Sequence, residues 1–402
     1  MILHAYYDHD ARVQRYANAL VNAGAAVDVL ALRNPDHVDA AAFRPVRSFT
    51  IPLSRNPDRA GGYLAEYVLA VIMFTWALLR LHIRNRYHVI HVHNMPDFLI
   101  LCAIIPRLLG ARLVLDIHDP TPEFYVSKFG RRPDAPLVRF FRLQERLSAR
   151  LAHAVITAND NFKRKLIARG IRANKITVFN NLPDPVIFNR EAHVRKWRRT
   201  PDDAFTLIYP GTIAPRYGLD IAIRAVAQLK DEQPPVRLRI VGPDIEYRAA
   251  LGRLAAELNV ADRIELAGPV PLVEVPRMLA EADAGIYPAL PDPHMSIATP
   301  SKVLEYVVMG LPVIASRLPV LGDMFSDSAI CFFEPGNASE LADRIRELAQ
   351  KPERGRQLVE YADTEYVRAN SLSVEIARYF DVIHSIHPGH KLTIALGKGE
   401  SS

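Results

Sequence analysis

Lys302 and Glu305 stand three residues apart in the stretch ATPSKVLEYVVMGLPVIAS, residues 298–316, and are spaced to act on one ligand. The stretch reads as a helix followed by a buried strand: Thr299 suits the N-cap, Pro300 the first helical position, and Gly310 the left-handed turn that ends the helix. Lys302 then falls in the first turn. Free backbone N–H groups and the positive end of the helix dipole already gather there, so a cation is poorly placed unless an anion joins it. Glu305 lies on the same side, one turn deeper. The plain alternative is a solvated lysine that pairs with Glu305 for roughly a few tenths of a kcal/mol.

Other chemistry-bearing residues cluster at the ends of strand-like segments. His93 and Asn94 end VIHVHN, and Asp116, His118 and Asp119 end VLDIHD. Gly211 and Thr212 end LIYPGT, and Gly242 and Asp244 follow LRIV. Ligands bind at the C-terminal ends of strands in doubly wound sheets, so this shared placement says more than any one residue. DHD at residues 8–10 could suggest metal-binding carboxylates, but Asp10 reads better as the cap of a helix beginning at Ala11, and no metal is assigned. There is no G-x-G-x-x-G after the first strand and no G-x-x-x-x-G-K-[ST], so dinucleotide and P-loop fingerprints are absent.

The elements that must hold these residues alternate along the chain. MILHAYY, AAVDVLAL, RSFTIPL, HVIHVHN, ARLVLDIHD, AHAVITA and KITVFNN are strand-like in the first half. FTLIYPG, VRLRIVG, DRIELAG, DAGIYPA, LPVIAS and AICFFEP play that part in the second. Helical patterns separate most of them, at 11–23, 95–109, 219–230, 246–258, 273–281, 300–309 and 337–350. This is an α/β pattern of two doubly wound, Rossmann-like domains, as a chain of 402 residues suits. The expected division is 1–182, a proline- and charge-rich linker at 183–203, a second domain at 204–370, a last helix at 371–387 and a loose tail at 388–402.

Hydrophobic residues make up 49% and charged residues 23%, the profile of a globular protein. The chain opens on an apolar strand without a signal-peptide pattern, and a cytoplasmic protein is expected. Cys102 and Cys331 sit in apolar surroundings and are expected in the core. The net charge of +6 hides an asymmetry: residues 1–200 hold 30 Lys and Arg against 16 Asp and Glu, and residues 201–402 hold 20 against 28. A basic half implies an anionic partner. Without zinc-finger spacing, an RNA-binding signature or a basic coiled coil, nucleic acid is not expected. A membrane surface fits better, because residues 129–150 interleave Arg139, Arg142, Arg146 and Arg150 with Phe140, Phe141 and Leu143. The apolar run YVLAVIMFTWALL, residues 67–79, has 13 residues, against the about 20 that a bilayer needs. It is expected to be a buried helix or one dipping into the interface.

Taken in order, DARVQRYANALVNAGAAVDVLAL, VIHVHNMPD, LVLDIHDPTPEFY, YPGTIAPRYGLDIAIRAV, LRIVGPD, RIELAGPVPLVEVPRMLAEADAGIYP and TPSKVLEYVVMGLPVIAS resemble the family-four retaining glycosyltransferases of the GT-B fold. The likeness is to bacterial members that build surface polysaccharides and lipid-linked glycans. It implies two domains facing a cleft and a nucleoside diphosphate sugar as donor, with no further cofactor. On that resemblance Lys302 and Arg216 grip the diphosphate at the helix N-terminus and Glu305 holds the ribose hydroxyls. Gly211, Thr212, Gly242, Ser296, Thr299 and Ser301 line the donor site. His118 contacts the sugar near the reacting carbon. His93, Asn94, Asp119 and Glu123 face a glycan or polyprenyl-linked acceptor, with the basic first domain docked peripherally on the inner face of the cytoplasmic membrane.

Two positions depart from the family pattern. Ile297 stands where the first of two glutamates seven residues apart is common, leaving its contacts to Ser296, His294 or backbone amides of 294–299, and Tyr217 stands where many members have a basic residue. Ile297 is also what raises the alternative of a catalytically silent GT-B scaffold that binds nucleotide sugar or glycan as a partner subunit. A sugar-nucleotide epimerase of similar fold ranks behind both.

Overall fold

The computed structural model describes residues 1–34, 46–53, 63–194, 203–244 and 246–389, without the side chains of His9 and residues 63–66. The chain divides into two compact units, Met1–Asn181 with Leu372–Ser402, and Leu182–Ser371.

The first unit is built on a parallel sheet of seven strands: β1 (Ile2–Leu3), β2 (Asp28–Leu32), β3 (Arg47–Ile51), β4 (Val89–His93), β5 (Arg112–Ile117), β6 (Ala154–Thr157) and β7 (Ile176–Val178), in the order β3-β2-β1-β4-β5-β6-β7. Strands β2, β5 and β6 are almost wholly buried, as expected of a parallel sheet covered by helices, whereas the edge strand β3 is mostly exposed or half-buried. The register pairs His93 with Asp116, which sets the two histidine-bearing strand ends side by side. Asp10 caps the helix Ala11–Asn22 as expected, its side chain accepting from Val13 N at 3.0 Å. The expected helix over 95–109 is instead a 3-10 stretch, Asp97–Ala103, followed by a short α-helix, Ile104–Leu108.

The apolar run at 67–79 belongs to a longer helix, Tyr63–Asn85. The apolar run ends at Leu79, but the helical backbone continues past Arg80, His82 and Arg84. By length and composition Tyr67–Asn85 could cross a membrane, and 22% of that window is buried. Ala70, Phe74 and Leu78, four residues apart, pack into the unit's core, while Val68, Leu69, Ile72, Trp76 and Ile83 are exposed, Trp76 by 65%.

The second unit holds β8 (Phe205–Pro210), β9 (Val236–Val241), β10 (Ile264–Ala267), β11 (Ala284–Tyr287), β12 (Val313–Ser316) and β13 (Cys331–Phe333), parallel, in the order β10-β9-β8-β11-β12-β13. Each strand expected from the sequence is present. The segment expected as a linker packs with this unit over its described part. Leu182 and Phe188 are in its core, and Arg190 pairs with Asp363 at 2.8 Å and lies against Gly310. Residues 195–202 of that segment, and 390–402 of the expected tail, lie outside the described residues. The last helix, Leu372–Ile386, belongs to the first unit, where Glu375 accepts from Asn180 N and Nδ2, both at 2.9 Å. Cys102 and Cys331 are buried, as expected.

The helix carrying Lys302 buries Val303, Leu304, Tyr306 and Val307 in the unit's core, and one of these contacts is especially close. Tyr306, wholly buried, lies flat on Gly285 of β11, where a Cβ would stand 2.4 Å from Tyr306 Cδ2. Gly285→Ala should therefore destabilise the protein by about 1–3 kcal/mol, read as a lower urea midpoint. An unchanged midpoint would show that the helix does not depend on this seat.

Candidate active site

In the second unit the Lys302 side chain is set by what is missing around it. The loop after β8 stays stitched to β9 through Gly211 N, which donates to Val241 O at 2.7 Å. A Cβ on Gly211 would stand 1.7 Å from Lys302 Cε, and one on Gly242, whose φ is +152°, would stand 2.0 Å from Gly211 O. The lysine stem thus runs through space that glycine leaves open. Its Nζ lies 5.7 Å from the ring centroid of Tyr209 and 5.3 Å from that of Tyr217, whose π faces attract a cation. Burial pulls the Lys302 amine below its ordinary pKa against the opposing pull of Glu305. Burial likewise pushes the Glu305 carboxyl up against the opposing pull of Lys302.

The helix is Ser301–Val308, entered through an extended Pro300 with no side-chain cap. This corrects the expectation of Thr299 as cap: the helix begins at Ser301, and Thr299 Oγ1 lies 3.8 Å from Met324 Sδ. Gly310 takes the left-handed conformation expected of it, φ +67°. Ser301 is exposed at the first turn and Ser296 N donates to Asp292 O at 3.0 Å. Thr212 contributes its carbonyl to Tyr209 OH, 3.1 Å away.

Arg216, in the turn Pro215–Tyr217, is engaged by Asp292, Nη2 to Oδ2 at 2.8 Å. The other Asp292 oxygen accepts from the N–H groups of His294 and Met295, both at 2.8 Å. Sequence reasoning passed over Asp292, although an aspartate that leads into a turn, here 293–297, commonly organises the loop through the N–H groups two and three residues on. Ile297 is buried, so an apolar side chain fills the position where a carboxylate is common in the family.

In the first unit the strand ends converge on Asp116. Arg12 grips both carboxylate oxygens, Nε to Oδ2 at 3.0 Å and Nη2 to Oδ1 at 3.1 Å. His118 Nε2 lies 3.1 Å and His93 Nδ1 3.4 Å from the same Oδ2. Burial works to raise the Asp116 carboxyl, but Arg12 and then His118 outweigh it and hold it well below the usual carboxylate range. Burial drives His93 down to about 4. His91, His93 and Asp116 are close enough to share a cation, yet both oxygens of that carboxylate already face a guanidinium, so the donor set fits a metal poorly.

The expected acceptor residues are employed within the unit. Asn94 donates both Nδ2 hydrogens, to Asp97 Oδ1 at 2.9 Å and to Asp119 O at 2.8 Å, and its Oδ1 accepts from His118 N at 2.8 Å. It ties the loops after β4 and β5 together. Asp119 is half-buried in that tie. Glu123 is buried and held by Arg169, which also bonds both Glu145 oxygens at 2.9 and 2.8 Å. Its carboxylate is thus engaged in an ion-pair network, which no local sequence pattern foretold. Among the residues that sequence reasoning missed, Arg12 left one signal: it shares the helical stripe of Tyr16 and Ala19, where a charge needs a buried partner.

Residues 9–181 match the family described as glycosyl transferase 4-like domain, and residues 190–365 match glycosyl transferases group 1. The amylovoran biosynthesis glycosyltransferase AmsK of Erwinia amylovora is 29% identical over 193 residues, 47% of this chain and 46% of that protein. A D-inositol 3-phosphate glycosyltransferase of Kribbella flavida is 26% identical over 194 residues, 46% of this chain and 45% of that protein. The matches thus span about half the length of these relatives. Among solved structures, sucrose-phosphate synthase from Thermosynechococcus elongatus is similar with TM-score 0.73 and 16% identity, over 97% of this chain and 99% of that one. Anabaena HepE, solved with UDP and glucose, is similar with TM-score 0.63 and 17% identity, over 96% and 99%. Each half thus matches one glycosyltransferase domain family, and the two parallel α/β units have the GT-B fold.

Proposed function

We propose that the protein transfers a sugar, with retention of anomeric configuration and without a metal ion, from a nucleoside diphosphate sugar to a lipid-linked or membrane-associated glycan in cell-surface polysaccharide synthesis. The observation that carries this reading is the Lys302 ammonium, desolvated between Gly211 and two tyrosine rings with Glu305 as a partial counter-charge. A diphosphate arriving there completes the neutralisation and meets the uncapped N–H groups of the helix Ser301–Val308. As the bond from the anomeric carbon to the diphosphate breaks, negative charge grows on the leaving phosphate, and Lys302, the helix mouth and Arg216 stabilise it. Glu305 accepts from the ribose hydroxyls. On the resemblance to the family, His118 is assigned to the reacting sugar, and His93 and Asp119 to the acceptor. A nucleotide-sugar donor is consistent with the likeness to HepE, solved in complex with UDP and with UDP-glucose, and polysaccharide synthesis with the likeness to AmsK.

The membrane part rests on a helix whose buried face, which includes Val138 and Ala149, also takes in polar side chains. Pro136–Leu151 buries Gln144, Glu145 and Ser148 but exposes Leu137, Phe140, Leu143 and Leu147 alongside Arg139, Arg146 and Arg150. Gln144 is drawn inward by Asp97 and Glu145 by Arg169, which turns the apolar stripe outward. Basic and apolar side chains on one exposed face suit the headgroup region of an anionic bilayer at its cytoplasmic side. The helix Tyr63–Asn85 adds a second apolar face, and the commitment of Ala70, Phe74 and Leu78 to the core supports a helix resting on the membrane over one that crosses it.

Lys302→Ala should weaken UDP binding by about 1.5–3 kcal/mol, roughly tenfold or more in Kd by calorimetry. Gly211→Ala should act in the same direction by displacing the lysine. Unchanged binding in both would remove the site. Incubation with UDP-, GDP- and dTDP-sugars and a membrane lipid extract should release nucleotide and form product with one donor, and His118→Ala should lose both. Binding without product for every donor would instead mark a silent scaffold. In flotation assays the protein should rise with anionic but not zwitterionic vesicles, and Phe140→Asp with Leu143→Asp should abolish this. Equal flotation of the double variant would place the membrane contact elsewhere.

A further inference from the structure

Arg12 is a buried charge that the chemistry above leaves unused. It is 5% exposed and Asp116 is 0% exposed. Its third donor, Nη1, bonds Phe179 O at 2.8 Å, and the guanidinium lies 5.4 Å from the ring centroid of Tyr16 and 5.1 Å from that of Phe179. All its hydrogen bonds named here thus fix one orientation, with the carboxylate fork of Asp116 as the target.

A structural pair would explain a helix pinned to a strand, but buried ion pairs are poor stability devices compared with apolar packing. It would also not explain why the Asp116 oxygen that faces Arg12 Nε is the one within 3.1 Å of His118 Nε2. His118 is the partly exposed ring of the cluster, while His91 and His93 are buried, and the two facing nitrogens of His93 and His118 are 3.2 Å apart. His118 meets Asp116 from β5 and His93 from β4, and behind them His91 and His93 face Asp10, Arg12 and Tyr16 from the first helix and its cap, and Tyr379 from the last helix, whose hydroxyl lies 3.1 Å from His91 Nδ1. Among them Asp116 is the carboxylate in contact with the ring. With Arg12 in place its charge is matched, and its Oδ2 stands 3.1 Å from His118 Nε2. Without Arg12, the nearest cation available to a buried carboxylate is a His118 imidazolium.

We propose that Arg12 is a positioning residue for His118, acting through Asp116: it fixes the carboxylate that holds the imidazole at Nε2. This rests on the assignment of His118 to the reacting sugar made above.

The test follows the His118 ring proton by NMR against pH in the intact protein, assigned with His118→Gln. In Arg12→Met the titration midpoint should rise by about one pH unit or more. In Arg12→Lys, which keeps the charge, it should stay near that of the parent. In the double variant Arg12→Met with Asp116→Asn it should fall back. Sugar transfer by Arg12→Met should lose kcat at least tenfold at pH 7 with little change in donor KM and recover as pH rises past the new midpoint, and Arg12→Lys should restore part of the loss. Should Arg12→Met not fold, Arg12→Gln, whose amide still donates to Asp116, carries the same comparison. A folded neutral variant with an unmoved midpoint overturns the proposal, as does a moved midpoint with unaltered kcat at every pH. The titration needs no substrate, so a parent protein that transfers no sugar would refute the proposed activity while leaving the electrostatic link to be read on its own.

Discussion

An ammonium group taken out of water must be repaid by nearby negative charge or polar contact, and the second unit is arranged around one such group. Lys302 reaches its place because Gly211 carries no Cβ, and Gly211 can lie there because Gly242 also lacks one. Two tyrosine rings and one carboxylate supply part of the lost hydration, and burial still lowers the amine. The remaining deficit is what an anionic ligand can fill. The packing that holds the lysine and the chemistry proposed for it therefore have one origin.

The first unit treats buried charge in the opposite way. Asp116 has a guanidinium on both oxygens, Asp97 accepts from Asn94, Thr121 and Gln144, and Arg169 is shared between Glu123 and Glu145. These networks join distant side chains by several hydrogen bonds each, and such networks fix geometry. They hold the loops after β4 and β5 in register, so His93 and His118 meet at one carboxylate. They also draw Gln144 and Glu145 inward, which exposes the leucine and phenylalanine stripe of the helix Pro136–Leu151.

Much of this architecture is local in origin and could be read from residue order. Apolar runs of four to six residues bounded by turn residues mark the long strands, Asp10 caps its helix, and Gly310 ends another in the left-handed conformation. Lys302 and Glu305 are one helical turn apart, so their companionship needed no tertiary information. Thr299 shows the limit even of local rules: a good capping residue gives way when Pro300 sets the entry angle and the helix starts one residue later.

What residue order could not decide were contacts between distant positions. Arg12 and Asp116 are 104 residues apart, Asn94 and His118 are 24 apart, and Arg216 and Asp292 are 76 apart. Each pairing depends on which strands lie side by side, and helical or strand periodicity carries no term for that. Glu123 looked free to meet an acceptor because Arg169 is 46 residues away, and the helix Tyr63–Asn85 looked short because its last turns are polar. The sequence by itself determined the alternating elements, the two-unit plan and the helix that offers Lys302 and Glu305, since these follow from spacing within a few turns of chain. Tertiary structure alone decided which charges are closed off in pairs and which keep a side open, because that depends on the partners that folding brings within hydrogen-bond reach.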